Sequence, residues 1–492
     1  MLSIVVFLPL LASVLLLLPQ TRGRPAGWIW IVTAAADLAL VVALWAGYDG
    51  IGLAYEVRLR WIPALNAGYH VGVDGLSLPL VALTSLLFLV CAIYSLGARE
   101  RTRPYTALFL FLQTVCLGLF VSLDLLLFFV FFDLSIVGMY FVIAGWGHGD
   151  RARAALKFFL YTFLGSLVLL LGFIGLYLGR GTFDMVEIIR NPPFLGEPIA
   201  AGLVLLAVFT GLAIKTPTVP FHTWLPPAHT DAPATGSAIL AGVLLKMGTY
   251  GFARIAMPML PEAWQRYAWV IIIIGVIGVV YGALVALAQQ NVKRLIAYTS
   301  VNHMGYIVLA LGVAGLVNGD PHARQLAVSG AVTQMVSHGL VTGGLFLLAG
   351  VLWNRVESYD LPRLGGIAAT APIYTAFMAV AAFASLGLPG LSGFIAEFQI
   401  FAGVIGTGIP GAAVAGIIST IGILITAALF LRVLQKGFLG PPGELRVTEI
   451  KAREAIAIAP LLLLSLAIGV APRWLLDMIE PACTAIVSLV TR

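Results

Sequence analysis

Charged residues are scarce in this sequence, and their scarcity excludes a soluble fold. The chain has 28 Lys and Arg and 22 Asp and Glu, so 10% of its 492 residues are charged, whereas 60% are hydrophobic. Soluble proteins carry about 25% charged residues. No soluble fold could bury the apolar excess behind a mean hydropathy of +1.02. The sequence therefore predicts a protein whose solvent is largely lipid.

The small positive balance excludes a nucleic-acid-binding protein. The formal net charge is +6, and the basic residues are scattered singly or in short clusters between apolar segments. A nucleic-acid footprint gathers them on one face. Anionic lipid and membrane topology explain this distribution better.

Cysteine is also rare, since the chain has only Cys91, Cys116 and Cys483. Their spacing fits no disulfide framework, CxxC redox site or zinc site. His222 and His229 straddle a proline-rich segment at a spacing that matches no zinc motif. We find no haem motif, and the glycine-rich GLPGLSG follows no strand. We therefore expect the chain itself to bind no metal or cofactor.

Long apolar runs predict an all-α integral membrane protein of about 14 spanning helices, because about 17–25 apolar residues cross a bilayer. We treat the first run as a span rather than a signal peptide, since no basic segment precedes it. The spans are placed near 3–19, 27–47, 76–97, 104–121, 123–145, 154–179, 199–219, 233–256, 264–288, 294–315, 324–353, 372–404, 409–437 and 453–475.

The Lys and Arg residues also set an orientation, because they concentrate in cytoplasmic loops. If the N-terminus lies outside, the loops that contain more Lys and Arg residues lie on the inner side. An even number of spans then places the C-terminus outside as well. The inner loops include these residues: Arg22, Arg24, Arg99, Arg101, Arg103, Arg151, Arg153, Lys157, Lys293, Arg294, Arg355 and Arg363. We expect a multi-pass protein of the cell inner membrane.

Five ionisable residues lie deep within the apolar runs. Each charge at the bilayer centre costs roughly 2.5–3.5 kcal/mol on insertion scales, so such residues usually mark an ion or proton pathway. The alternative is a set of neutralised structural pairs. The four stronger candidates are Asp133, Lys215, Lys246 and Glu397. Asp37, in the second run, is a weaker one.

Two of the spans, 7 and 12, are predicted to be broken. Pro217 follows Lys215 by two residues, and 388–390 reads Leu-Pro-Gly shortly before Glu397. Broken spans are tolerated where they line a polar cavity, typically an ion site. Their spacing suggests an inverted repeat of helices 4–8 and 9–13. The chain then divides into a three-helix segment 1–103, a first repeat 104–256, a second repeat 257–437, and helix 14 with a tail, 438–492.

Histidines lie close to these charges. His222, His303 and His338 fall in or beside spans 7, 10 and 11. With the buried Lys, Asp and Glu residues they could form a chain of titratable groups across the middle of the membrane. For each histidine singly, a structural hydrogen bond is the alternative.

Several segments resemble the antiporter-like, proton-translocating membrane subunits of respiratory complex I (NADH-quinone oxidoreductase). The resemblance covers most of the chain, and Glu397 within Ala-Glu-Phe is similar to the M type rather than the L or N type. The chain is also expected to lack the long lateral helix that follows the last span in the L type. The resembling segments are 72–80, 123–147, 155–166, 215–254, 289–307 and 386–398.

The resemblance implies roles for matching residues. Lys215 looks like the pump lysine of helix 7, Lys246 like the relay lysine of helix 8, and Glu397 like the terminal proton-donating carboxylate. Asp133 stands where the family has a Glu paired with the helix 7 lysine. Gly138 replaces a proline, so that helix is expected to be straighter.

The resemblance also implies partners and cofactors. The chain is expected to contact L and N type chains, other complex I membrane subunits and lipids, and no nucleic acid. The parent complex is expected to use NADH, FMN, iron–sulfur clusters and quinone, none of them held by this chain. Alternatives are a subunit of a Mrp-type cation/proton antiporter or of a membrane-bound hydrogenase, and a structural membrane anchor.

Overall fold

A computed structural model of the protein describes residues 1–18, 26–96 and 102–491. Arg22, Arg24, Arg99 and Arg101, which contribute to the predicted orientation, lie outside the described residues.

Within the described ranges, 12 helices are long and apolar enough to cross a membrane. They are α2 (Ala26–Ala46), α3 (Leu78–Ser95), α4 (Thr102–Val121), α5 (Leu125–Trp146), α6 (Arg151–Arg180), α8 (Pro198–Lys215), α10 (Ala234–Met259), α12 (Ala268–Ala288), α13 (Val292–Val313), α14 (Pro321–Val356), α18 (Pro410–Phe438) and α19 (Ala452–Val470).

Shorter helices complete the bundle. These are α1 (Leu2–Leu17), α7 (Met185–Arg190), α9 (Leu225–Asp231), α11 (Pro261–Arg266), α15 (Ile367–Thr370), α16 (Pro372–Ser385), α17 (Ser392–Ile405) and α20 (Arg473–Val490). If α1 is one span and the consecutive pair α16 and α17 another, the total equals the predicted 14. That count stays a prediction.

The turn between α4 and α5 lies where the sequence places it, at Ser122, Leu123 and Asp124. Asp124 caps α5, because its Oδ1 accepts hydrogen bonds from the backbone N–H groups of Leu126 (2.9 Å) and Leu127 (3.1 Å). The cap satisfies amide groups that a helix start would otherwise leave unpaired. It separates two apolar runs that hydropathy alone nearly merges.

The charged sites of the interior lie on or against the most enclosed helices. The most apolar 18-residue stretches of α10 and α14 are wholly buried within the protein, whereas those of α6, α12 and α18 expose much of their surface. The exposed large hydrophobic side chains of α6 are mostly leucines, such as Leu160, Leu164 and Leu171. Such a face suits lipid rather than water.

A β-hairpin occupies the connection near 48–75, which the sequence analysis leaves non-helical. Strands β1 (Ala54–Ile62) and β2 (Ala67–Val73) pair antiparallel across a turn at Pro63–Leu65. Alternating residues in β1, such as Glu56, Val57 and Arg58, suit a hairpin with one exposed face. We call the end of the bundle that carries this hairpin the hairpin end, and the other the opposite end.

The C-terminal residues form a further helix, α20, where the sequence analysis places only a tail. Its buried side chains recur at helical spacing, among them Leu475, Ile479, Cys483 and Val487, and the helix packs on α14. Its polar face lowers its hydropathy, so it does not register as a span.

Candidate functional site: a buried row of charged side chains

Helix α8 ends at Lys215, four residues before the predicted end of the seventh span at residue 219. The nine residues 216–224 are not helical, and α9 begins at Leu225. Two carbonyls at the break find new partners: Ala213 accepts from the backbone N–H of Thr218 (3.0 Å), and Ile214 from the indole N–H of Trp224 (2.9 Å). The interruption is therefore satisfied inside the protein, as a membrane interior requires.

The ammonium of Lys215 contacts α5. Its Nζ donates a hydrogen bond to Oγ of Ser135 (2.9 Å) and lies 4.9 Å from the centre of the Phe132 ring. Asp133 lies on the same helix, within electrostatic range of Lys215. No ion pair between these two described residues is formed, and Oδ1 of Asp133 is buried without a hydrogen-bond partner. Ser135, and not Asp133, is therefore the hydrogen-bond partner of Lys215 on α5.

Lys246 lies two residues after a π-helical stretch, Leu240–Leu244, within α10. Its Nζ donates to the carbonyl of Ala241 (2.6 Å) and lies 2.5 Å from Nδ1 of His338 on α14. The side chain is fully buried. π-Helical stretches occur often at functional sites, since they widen the helix and free a carbonyl.

His338 leads to His303 on α13. The two rings lie 5.4 Å apart, nearly perpendicular at 64°. Nδ1 of His303 accepts from the side-chain amide of Gln334 (2.9 Å), and Nε2 lies 3.3 Å from Oγ of Ser385, the last residue of α16. The histidine is thus oriented by partners from two helices.

Glu397 ends the row. Its Oε1 lies 3.7 Å from Nδ1 of His303. Gly387, in the non-helical stretch between α16 and α17, has φ +76°, and a Cβ there would collide with Oε2 of Glu397. The break in span 12 therefore makes room for the carboxylate.

The central row, as we call it, comprises Lys246, His338, His303 and Glu397. The sequence analysis names all four, and the structure brings them into one line of close contacts. Lys215 and Asp133 lie apart from it as a separate group on α5 and α8. The sequence analysis misses Ser135 and Gln334, the neutral side chains that hold Lys215 and His303.

His222 does not join the central row. It lies in the break of span 7, where its ring faces Tyr281 at 5.1 Å and Tyr298 at 6.3 Å. Its relay role stays a prediction. His229, which the sequence analysis considers only as a metal ligand, is instead fully buried beside Phe346.

Asp37 is buried inside the protein and not at its lipid-facing surface. Its Oδ2 accepts from Oγ of Ser85 (2.7 Å) and from Nε2 of Gln113 (2.9 Å). These partners come from α3 and α4, so Asp37 ties α2 to the N-terminal helices.

Among the residues that the structure describes, no group of three or more His, Cys, Asp or Glu side chains is placed to hold a metal ion. The three cysteines are buried.

The fold and this row define a class: a multi-pass membrane protein with interrupted helices and ionisable groups in contact at membrane depth. Proteins of this class translocate ions or protons. A family model described as NADH:quinone oxidoreductase/Mrp antiporter, TM matches residues 122–426. The chain belongs to this family.

Relatives match along nearly the whole chain. NADH-quinone oxidoreductase subunit M of Rickettsia prowazekii (strain Madrid E) is 38% identical over 492 residues, which cover 97% of this chain and 96% of the relative. A chain of respiratory complex I from Thermus thermophilus with bound NADH has a TM-score of 0.89 and 29% identity, with 100% of both chains covered. A chain of the Mrp complex from Dietzia sp. DQ12-45-1b has a TM-score of 0.88 at 22% identity, covering 100% of this chain and 99% of that one. This last match shows a shared fold.

Proposed function

We propose that this chain is the M-type, proton-translocating membrane subunit of an NADH:quinone oxidoreductase. The observation that carries the proposal is the central row. Its four ionisable side chains are buried and follow one another at contact distances from α10 to α17. Buried ionisable groups are expensive in a membrane, so a contiguous set of them indicates a path for protons.

The geometry suits stepwise proton transfer. Lys246 donates towards Nδ1 of His338, so transfer along that hydrogen bond leaves a neutral amine and an imidazolium. His303 comes next, and the carboxylate of Glu397 can take the proton at the end. In a low-dielectric interior each move changes the electrostatic potential at its neighbours, which couples the steps.

Lys215 and Asp133 would control when protons move along the central row. Both lie within electrostatic range of each other, while Ser135 holds the lysine. A change elsewhere in the parent complex that drew Lys215 towards Asp133 would alter the field along the membrane plane. We propose that quinone reduction elsewhere drives this change, and that this chain acts as a non-redox translocase.

The whole-length identity to subunit M supports complex I over the alternatives. On this proposal the parent complex supplies the NADH, FMN, iron–sulfur and quinone chemistry, and L and N type chains adjoin this one. The chain would span the cell inner membrane with both termini outside and the hairpin end facing out. The predicted inner residues Arg153, Lys157, Lys293 and Arg355 all lie at the opposite end, which agrees with this orientation.

A second candidate is a subunit of a Mrp-type cation/proton antiporter. The family description names both systems, and the fold matches the Mrp complex chain nearly as well as the complex I chain. The two candidates share the central row and differ in what assembles with it.

Purification from native membranes through a tag on this chain tests the proposal. We expect flavin and iron–sulfur subunits to co-purify with inhibitor-sensitive NADH:quinone reductase activity. Lys215→Ala should then lower the number of protons translocated per electron, whereas Lys436→Ala, at an exposed site, should not. Small membrane subunits alone, without redox activity, would contradict the complex I assignment and make Na⁺/H⁺ exchange the next assay.

A further inference from the structure

An apolar cavity of about 480 Å³ lies between α8 and α12 on the outside of the bundle. On α8 its lining includes Ile199, Leu203 and Leu206, which recur at helical spacing and are 79%, 64% and 62% exposed. On α12 it includes Val270 and Ile274. A recess with such walls suits an apolar occupant, because water gains nothing from them.

The length of this cavity matches one leaflet of a bilayer. Along α8 its lining runs from Pro198, at the hairpin end, to Thr210, and Phe221 in the break of span 7 lines it as well. At a rise of about 1.5 Å per residue, the part on α8 is about 18 Å long. Half of a hydrocarbon core of roughly 30 Å is about 15 Å. The cavity therefore fits an acyl chain of one leaflet better than a neighbouring helix that crosses the whole membrane.

A second and more polar cavity of about 580 Å³ adjoins the first at the hairpin end, since Pro198 and Arg266 line both. Its lining includes the polar side chains of Gln265 and Asn318. The exposed ring of Trp269 lines it too, and aromatic side chains of this kind are enriched where a membrane meets water. We call the two cavities together the lateral groove. It is polar at its mouth and apolar below, as a lipid is.

Two opposite charges stand at the mouth of the lateral groove. Among the described residues that line it, only Glu262 and Arg266 are charged. Oε2 of Glu262 accepts a hydrogen bond from the backbone N–H of Gly196 (2.8 Å), which fixes the carboxylate. The guanidinium of Arg266 is exposed and forms no ion pair or hydrogen bond with any residue that the structure describes. The mouth therefore offers one cation and one anion that do not neutralise each other.

We propose that the lateral groove binds one phospholipid whose zwitterionic headgroup carries a phosphate and a primary ammonium, as phosphatidylethanolamine does. Arg266 binds the phosphate, because a guanidinium forms paired, charge-assisted hydrogen bonds with phosphate oxygens. The ammonium donates to Oε1 of Glu262, and one acyl chain lies along α8 towards Phe221.

The pair of charges sets the selectivity of the lateral groove. A phosphatidylglycerol headgroup has no cation for Glu262, and a choline headgroup has no N–H to donate to it. The inference goes beyond the proposed function, because it does not depend on which ion the complex translocates.

The test uses the assembled complex that co-purifies with a tag on this chain, placed in lipid nanodiscs with phosphatidylethanolamine that carries a photoreactive acyl chain. After illumination, mass spectrometry maps the labelled peptides. We expect label in 198–210 and 267–274, and unlabelled phosphatidylethanolamine should remove it at about a tenth of the concentration that phosphatidylglycerol or phosphatidylcholine needs. Equal competition by the three lipids would overturn the proposal. So would label on the exposed face of α6 with none in the lateral groove, which would leave the groove to a neighbouring chain.

Substitutions at the mouth test the two headgroup contacts, in complexes shown by native gel to be assembled. Arg266→Gln should lower labelling of the lateral groove about tenfold, the scale of a lost charge-assisted hydrogen bond. Arg190→Gln is the matched control, because Arg190 is exposed at the same end outside both linings, and it should not change labelling. Unchanged labelling of Arg266→Gln would overturn the proposal.

Glu262→Gln separates recognition of the headgroup from general packing. Glutamine keeps an oxygen for the N–H of Gly196 but removes the negative charge, so phosphatidylglycerol should now compete as well as phosphatidylethanolamine. Unchanged selectivity in this variant would overturn the proposal. Leu206→Trp tests the acyl-chain site independently of the charges: it fills the groove from an exposed position and should lower labelling, and full labelling would exclude a chain at that place.

Discussion

Nζ of Lys246 lies 2.5 Å from Nδ1 of His338, and both side chains are buried. Because an ammonium can only donate, Nδ1 must accept, which places the ring proton of neutral His338 on Nε2. Nε2 has no hydrogen-bond partner among the described residues. The ring can therefore receive a proton at one nitrogen and release one at the other.

Replacing Lys246 tests the start of the central row. Lys246→Met removes the proton donor and leaves His338 without its hydrogen bond, so we expect NADH-driven proton translocation to fall roughly a hundredfold. Lys436→Met, at an exposed position near the end of α18, should leave translocation unchanged. Fluorescent dye quenching in vesicles measures both. Wild-type quenching by Lys246→Met would remove the central row from the mechanism.

A substitution of Ser135 tests the proposed role of Lys215 and Asp133. Ser135→Ala deletes the hydroxyl that accepts from Lys215, and hydrogen bonds to charged groups contribute about 1.5–3 kcal/mol. We expect the translocation rate to fall about tenfold or more, since about 1.4 kcal/mol is a tenfold change. Ser135→Thr keeps the hydroxyl and should retain most of the rate. Equal rates in both variants would show that the hydroxyl does not hold the lysine during turnover.

The sequence predicts the charged members of the site well, because a charge inside an apolar run is a local signal. Lys215, Lys246 and Glu397 each stand out within about one helical turn of apolar neighbours. Neutral partners give no such signal. Gln334 and Ser135 are ordinary polar residues in sequence, and only the packing of α14 on α13 and of α8 on α5 shows what they hold.

The surroundings of the histidines could not be predicted from local sequence. His222 and His229 flank one proline-rich segment, and the sequence gives no ground to rank them as relays. The fold buries His229 beside Phe346, within electrostatic range of Lys246 and Lys293, and places His222 against Tyr281. Lys293 is similar: it neighbours Arg294 at the start of α13, and only the segment after α9 covers it.

The predicted spans agree with the helices to within a few residues, since length and apolarity determine them. The two elements that the sequence analysis misses, the β1–β2 hairpin and α20, lie at the hairpin end. Each has one polar and one buried face, so each falls below a hydropathy threshold tuned to uniformly apolar segments.

The hairpin is held by a pH-sensitive cluster. His70 is buried, with Nδ1 2.9 Å from Asp184 and Nε2 3.0 Å from Glu56, while Arg58 lies 3.0 Å from Asp184. Burial alone would lower the pKa of His70, but Asp184 and Glu56 outweigh it and raise this pKa above 6.5. Burial would likewise raise the pKa of Asp184, yet His70, the backbone and Arg58 keep it below 3.8.

These shifts set a pH window. The contribution of His70 is complete below its ordinary pKa of 6.5 and is lost as pH rises through its raised folded pKa. That of Asp184 is present above 3.8 and is lost as pH falls through its lowered folded pKa. The hairpin should therefore be held most firmly between about pH 3.8 and pH 6.5, where both contributions are present.

Hydrogen exchange measures this effect. After correction for intrinsic rates, exchange in Ala54–Val73 should slow as pH falls from about 8.5 to about 6. His70→Gln should remove the pH dependence, and the exposed His322→Gln should keep it. A pH-independent wild-type hairpin would mean that His70 does not change its protonation in this range.

The ion pair of Asp74 and Arg254 joins the start of α3 to α10. Its atoms lie 2.5 Å apart, and the side chains are 13% and 10% exposed. Burial would raise the pKa of Asp74, but Arg254 and the backbone amides of Ser77 and Leu76 hold it below 3.8. Asp74→Asn keeps an oxygen for the two amides and removes the charge, which leaves a buried guanidinium unpaired.

Breaking a buried pair in this way costs about 3–5 kcal/mol, so Asp74→Asn should lower the thermal stability of the purified complex markedly. Removing the second charge as well, in Asp74→Asn/Arg254→Gln, should recover part of the loss, because no isolated charge remains. Asp477→Asn, which breaks the exposed pair with Arg473, serves as control and should leave stability unchanged. Equal melting curves for Asp74→Asn and wild type would mean that water reaches Arg254 and that the pair does not tie α3 to α10.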